Sequence, residues 1–277
     1  SMATVIDVRG FDYGDQVETT EENTIEVAQR INYKNFREDI IQRGFDGIGV
    51  ISDVHGMAID LKDIIDQCLE QNLFPVQIGN LVNYGPDSNN SVDQIYKLIS
   101  RGDGAMVLGD CEHNLHRWLQ QWQNNNVRMN IDSGLQKTID QFLRLNNREQ
   151  NQFINRFNMI WNHSRHHIVF ENNHEKIMIV HAGCSIKMWD NPTNRFTGFE
   201  ERRATLGQFD NTSFEYVFDW IDDIPPNHSV YVGHSFECLE VETVHNNQGG
   251  TCIFVDTGSS KILNGQIGYI SLTPILF

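Results

Sequence analysis

From Phe45 onward the apolar positions switch between two rhythms. "DGIGVISD" (46–53) is a short apolar run closed by aspartates, which predicts a buried strand. "MAIDLKDIIDQCLEQ" (57–71) sets Leu61, Ile64, Ile65, Cys68 and Leu69 at helical spacing, with charges between them. "FPVQIGN" (74–80) predicts a second strand. "SVDQIYKLIS" (91–100) predicts a helix with Val92, Ile95, Leu98 and Ile99 on one face, and "GAMVLGD" (104–110) a third strand. Strands alternating with helices imply a mostly parallel sheet covered on both faces.

The rhythm then changes. "EHNLHRWLQQW", "LQKTIDQFLRL" and "REQNQFINRFNMI" read as three helices, a cap beside the sheet over residues 112 to about 160. "HHIVFE", "KIMIVHAG", "SVYVGHS", "LEVETV", "TCIFVDTG" and "QIGYISL" read as strands joined by tight turns. His163, His166 and His167 are expected at a strand edge, because successive strand residues face opposite ways and the His166–His167 pair cannot chelate together. Residues 1–44 stand apart: an acidic loop-like stretch, then "TIEVAQRINYKNFREDIIQR" with helical spacing. They read as a helical lead-in to a domain over 45–277.

Composition narrows the function. Of the 277 residues 39% are hydrophobic and 10% aromatic, which suits a folded chain. No apolar run approaches the roughly 20 residues needed to span a bilayer, so no membrane partner is expected. Cys68, Cys111, Cys184, Cys238 and Cys252 are scattered and form no C-x-x-C pair. That usage suits a reducing compartment, and the cytoplasm is the expected location. The net charge of −16 argues against a long nucleic-acid ligand. A phosphorylated small molecule or a phosphoprotein is the expected partner.

Five strand ends carry loaded turns: Asp53-Val54-His55-Gly56, Gly79-Asn80, Gly109-Asp110-Cys111-Glu112, His181-Ala182-Gly183 and Gly233-His234-Ser235. Sites in α/β sheets form at the carboxyl ends of strands. Mixed nitrogen and oxygen donors suit manganese, iron, zinc or a similar divalent ion. Any one of these turns is weak evidence, since a lone histidine is more often structural. Their order, strand context and flanking glycines agree.

"ISDVHG", "IGNLVNYGPDS", "VLGDCEHNL", "MIVHAG" and "YVGHS" resemble, in that order, the motifs of the calcineurin-like metallophosphoesterases, in the branch of bacterial protein phosphatases and diadenosine tetraphosphate hydrolases. The resemblance covers about Phe45 to Phe277. It implies an α/β fold of two packed mixed β-sheets flanked by helices, a sandwich with a helical cap. It implies two divalent metal ions, manganese first, with iron, zinc or magnesium as alternatives and one or both bound. Asp53 and His55 would hold one, position 110 with His181 and His234 the other, and position 80 would bridge them.

The sequence departs from that pattern at four places. Asn80 stands at the bridging aspartate, Asp110 at the terminal asparagine, Cys111 at a histidine that assists the leaving group, and Tyr84 at a phosphate-binding arginine. The first two changes are reciprocal and keep the carboxylate count. A thiol is a poor proton donor to a leaving alkoxide, so His113, two residues on, is a candidate substitute for Cys111. Arg203 in "EERRATLG" is the candidate phosphate-binding group, with Arg202 its competitor. The expected function is a metal-dependent phosphomonoesterase, protein- or nucleotide-directed, with an Asp/Asn-swapped dinuclear site. The alternative is a catalytically impaired pseudophosphatase that binds a phosphorylated ligand.

Overall fold

The computed structural model describes residues 29–191, 195–234, 239–259 and 265–272. The whole acidic stretch and the first five residues of the expected lead-in helix, together with Ser235 and Cys238, lie outside them.

Two sheets form the centre. Strands β1 (Gly47–Ile51), β2 (Leu73–Gln77) and β3 (Ala105–Met106) run parallel, in register Gly47↔Leu73 and Val76↔Ala105. An antiparallel strand, Tyr269–Leu272 near the C-terminus, closes the far side of β1. The second sheet orders β4 (His167–Asn172), β5 (Glu175–Val180), the strand His228–Val232, the strand Thr251–Phe254, and the strand Glu242–His245. In chain order a short two-stranded hairpin follows β5: β6 (Gln208–Asp210) and β7 (Glu215–Val217). The later strands are therefore β8 (His228–Val232), β9 (Glu242–His245), β10 (Thr251–Phe254) and β11 (Tyr269–Leu272). β5, β8 and β10 are parallel neighbours.

Strand alternation sorts the side chains into layers. Ile48, Val50, Phe74 and Val76 from the first sheet meet Ile168, Phe170, Ile177 and Ile179 from the second. Their neighbours Val169, Met178 and Val180 face outward, against Trp189, Trp220 and Ile221. The outer face of the first sheet is covered by α2 (Ala58–Glu70), α3 (Ser88–Arg101), α4 (Asp110–Gln123), α5 (Ser133–Leu143) and α6 (Asn147–His163). The fold is thus the α/β arrangement of two mixed sheets flanked by helices that the motifs implied. The expected cap is the last part of this helical layer.

Before β1, a 3-10 turn (Tyr33–Asn35) leads into α1 (Phe36–Gln42). Phe36 and Ile40 are fully buried between the sheets, and the Phe36 ring packs on Phe74 and Phe170. These residues are part of the inter-sheet core. His163 does not lie at a strand edge as expected: it ends α6, and its Nδ1 lies 2.9 Å from the Met159 carbonyl, one turn back. The helix propagates through "MIWNH" because Trp161 and Ile160 are still on its buried face.

Helix α7 (Phe199–Leu206) and the β6–β7 hairpin were not foreseen. The helix buries only Ala204 and Thr205, so its sequence carries no apolar stripe to read.

Candidate metal centre

Parallel strands deliver their carboxyl ends to one edge of a sheet. β1 hands over Asp53 and His55, and β2 hands over Asn80. β3 leads to Asp110, the first residue of α4, while β5 and β8 deliver His181 and His234. All six sequence-predicted ligands therefore arrive at one place. The backbone there is strained: His55, Asn80, Asn83, Tyr84 and His234 all have positive φ. Asparagine adopts this conformation readily, so the cost, about 1–3 kcal/mol each, falls on His55, Tyr84 and His234.

Asp110, His181 and His234 each offer a donor atom, all within 4.8 Å of one another. Asp110 Oδ1 lies 3.4 Å from His181 Nε2 and 3.3 Å from His234 Nδ1. His181 Nε2 and His234 Nδ1 are 3.3 Å apart. Beside this cluster Asp53 Oδ2 stands 3.5 Å from His55 Nε2. The two groups are joined, because Asp53 Oδ1 accepts the His234 backbone N–H at 3.0 Å.

The imidazoles are aimed. His55 Nδ1 lies 3.0 Å from the Val82 carbonyl, and His181 Nδ1 lies 2.7 Å from the Ile78 carbonyl. A carbonyl can only accept, so each Nδ1 carries a proton and each Nε2 is the nitrogen that faces the site, where it can hold a proton or a cation. Glycines make the close approach possible. A side chain at Gly109 would strike Asn80 Oδ1 and His181, and one at Gly233 would strike Asp53 Oδ1.

Glu112 was named in the third loaded turn but given no role by the sequence reading, yet it fastens the site. Its buried carboxylate accepts N–H bonds from Asn80 (2.7 Å), Gly109 (3.0 Å) and Leu81 (3.1 Å). It thereby clamps the β2 turn to the start of α4. Burial pushes its carboxyl up, against the pull of His181 and those N–H groups. Its place at the third position of a helix was legible, but the loop it would reach was not.

Divalent cations fit these residues. Asp110 Oδ1 and His55 Nε2 are buried and make no hydrogen bond among the described residues. Lone pairs converge on one another in a way that costs free energy unless something cationic lies between them. Protons can play that part in the metal-free protein. Burial alone would lower the His181 imidazole, but the Asp53, Asp110 and Glu112 carboxylates outweigh it and raise it to about 9. Burial likewise opposes ionisation of Asp110, but His181 and His234 hold its carboxyl well below the usual range. The donor set of nitrogen and oxygen suits borderline divalent ions.

The departures from the family pattern now have positions. The Asn80 backbone carbonyl accepts from Val54 and His55 at 3.0 and 2.9 Å, and its side-chain Oδ1 accepts the Cys111 N–H at 3.1 Å. Asn80 therefore sits between the two halves and ties down the start of α4. Cys111 lies in the apolar core with Leu115 and Trp118, which is the setting of an inert thiol. Tyr84 stands edge-on to His55, with ring centres 5.1 Å apart.

His113 shares the face of α4 with Asp110, one turn on. Its Nε2 lies 3.1 Å from His166 Nε2, and its Nδ1 3.6 Å from Glu201 on α7. Burial and nearby cations push His166 down to about 3, so it is neutral near pH 7. Its Nδ1 accepts the Phe196 N–H at 2.9 Å, so its one proton sits on Nε2 and points at His113. His113 is then an acceptor at Nε2, while its Nδ1 faces the Glu201 carboxylate at 3.6 Å, beyond hydrogen-bond distance.

Arg203 packs on the His181–Gly183 turn, and its Nη1 donates to the Cys184 carbonyl at 3.2 Å. Arg202 on the same helix is exposed. Of the two, Arg203 is the one packed on the turn that follows His181.

A model of the calcineurin-like phosphoesterases matches residues 47–254. A bis(5'-nucleosyl)-tetraphosphatase, PrpE [asymmetrical], from Oceanobacillus iheyensis is 24% identical over 221 residues, covering 76% of this chain and 83% of its own. Among solved structures, a metallophosphoesterase from Sphaerobacter thermophilus is similar at 14% identity and TM-score 0.40, covering 82% of this chain and 83% of its own. A protein serine/threonine phosphatase from Saccharomyces cerevisiae is similar at 12% and 0.47, covering 83% and 81%. With the matched region spanning all five strand-end turns, the chain belongs to the calcineurin-like phosphoesterase family.

Proposed function

We propose that this protein is a metal-dependent phosphoester hydrolase acting on a nucleotide polyphosphate, with an Asp/Asn-swapped site. The observation that carries the reading is the buried Asp110 oxygen held between His181 and His234. Asp110, His181 and His234 would hold one ion, and Asp53 and His55 a second, with Asp110 as the main anion between them. Such ions, when bound, neutralise phosphoryl oxygens and lower the pKa of water. The chain's own residues orient the ligands through Val82, Ile78 and Glu112, and Arg203 supplies a guanidinium for the phosphate. The similarity to a nucleosyl-tetraphosphatase favours a nucleotide over a phosphoprotein, and the acidity disfavours a polynucleotide.

The impaired pseudophosphatase keeps one specific observation in its favour. The Asn80 side-chain oxygen is bound to the Cys111 N–H, and position 111 offers only a core thiol. Turnover of diadenosine tetraphosphate, para-nitrophenyl phosphate and a 3′-phosphorylated oligonucleotide, each with and without Mn²⁺, tests the proposal. Mn²⁺-dependent hydrolysis with the dinucleotide preferred is expected. No hydrolysis of any of them by the metal-loaded protein would favour the impaired reading.

A further inference from the structure

The β6–β7 hairpin belongs to neither main sheet, and it presents aromatic rings to solvent. Phe209 and Tyr216 are direct cross-strand partners, with ring centres 5.5 Å apart at 73°. They are 47% and 45% exposed. A cross-strand aromatic pair steadies a short hairpin by up to about 1 kcal/mol, which accounts for their contact with each other. It does not account for their place. The Tyr216 ring lies 5.2 Å from the His234 ring, nearly perpendicular to it at 84°. An open aromatic surface therefore begins one ring away from the candidate metal cluster.

The adjoining helix contributes a guanidinium. Helix α7 runs through Gly207 directly into β6, and its Arg203 guanidinium stacks over the exposed Phe199 ring at 4.9 Å. On the other half of the site Tyr84 stands against His55 as Tyr216 does against His234. An aromatic ring thus adjoins a histidine in each half. Metal ligands and a guanidinium suit phosphate. Exposed aromatic faces beside them suit a flat ring carried on that phosphate.

We propose that the Phe209–Tyr216 hairpin is a stacking platform for the base of a nucleotide whose phosphates lie at the metal cluster. The proposal rests on the hydrolase reading for its ligand, but it concerns binding and stands or falls separately. A base attached to a polyphosphate has the flat face, the anionic chain and the short link between them that this layout requires. Arg203, whose side chain packs on the turn that follows His181, is the guanidinium this layout offers to that chain.

The test uses the full chain with Mn²⁺ and the variant Phe209→Ala, which touches no candidate ligand; Tyr216→Leu is a second variant. Thermal melting confirms that both fold. Saturation-transfer NMR from protein to the adenine protons of a non-hydrolysable methylene analogue of diadenosine tetraphosphate, with diamagnetic Mg²⁺ in place of Mn²⁺, reads binding without turnover. Hydrolysis of diadenosine tetraphosphate itself is compared with hydrolysis of inorganic tripolyphosphate, which has no base. The expected result for Phe209→Ala is loss of the adenine signal and a KM for the dinucleotide raised about tenfold or more, the weight of one stacked base, with tripolyphosphate unchanged. If the parent protein hydrolyses neither compound yet shows the adenine signal, and Phe209→Ala loses it, the platform stands and the hydrolase reading falls. An adenine signal equally strong in both variants overturns the platform. So does a rise in KM that is the same for tripolyphosphate. A phosphotyrosine peptide that loses binding on Phe209→Ala while the dinucleotide does not would overturn it too, assigning the surface to a protein substrate.

Discussion

Asn80 keeps its family position but uses its side chain differently from a bridging carboxylate, because its oxygen is taken by the Cys111 N–H at 3.1 Å. An amide offers that one neutral oxygen. An aspartate in its place would accept the same bond with one oxygen and turn a second, charged oxygen to the site. Asn80→Asp is therefore expected to tighten Mn²⁺ binding by about tenfold or more, measured by calorimetric titration; unchanged affinity would mean that position 80 faces no ion. The candidate ligands were legible as a set and not one residue at a time. Asp53, His55, His181 and His234 follow strands and precede or follow glycines, and the strand ends carried them to one place. Roles that depend on a partner's position were not legible. His113 was considered as a proton donor on spacing alone, and spacing could not foretell that its Nε2 meets His166 at 3.1 Å while its Nδ1 stands 3.6 Å from Glu201.

At the scale of elements, the site depends on how the β2 turn meets the start of α4. Glu112 fastens that junction with bonds from Asn80, Leu81 and Gly109. Glutamine at 112 has one acceptor oxygen and places N–H donors where an acceptor is needed. Glu112→Gln is expected to cost about 1–3 kcal/mol of stability in chemical denaturation, and to weaken Mn²⁺ binding without removing a ligand. A variant as stable as the parent would show that the clamp is dispensable. The amphipathic helices and buried strands were readable because each repeats its apolar positions with a clear period. α7 and the β6–β7 hairpin were not, because they sit at the rim and bury little. Their sequence reports a surface and not a core. The aromatic side chains at Phe209, Phe214 and Tyr216 were the available signal, at 47%, 77% and 45% exposure.

At the scale of the whole molecule, the described residues form three apolar layers, one between the sheets and one outside each. No helix among the described residues is long and apolar enough to cross a membrane. Buried neutral histidines tie this body to pH. Burial pushes His167 down to about 4, and its Nε2 lies 2.7 Å from the Met188 carbonyl, which fixes it as a neutral donor. The unfolded histidine titrates near 6.5. Above that pH both states are neutral and the stability is intact. As pH falls from about 6.5 toward 4 the unfolded chain takes up a proton that the fold refuses, and stability declines. At pH 5 the loss is about 2 kcal/mol for this histidine. Thermal melting at pH 7.5 and 5.0 should show that loss in the parent and a shallower one in His167→Gln; equal slopes would contradict it. The central claim, that Asp110 is the main anion of a metal site built from five turns, is tested most directly by titrating metal-free protein with Mn²⁺ beside Asp110→Asn in one calorimeter. The parent should bind manganese, and the variant, left with Asp53 as the remaining ligand carboxylate, should lose at least one ion. If Asp110→Asn binds as many ions as tightly as the parent, the account is wrong.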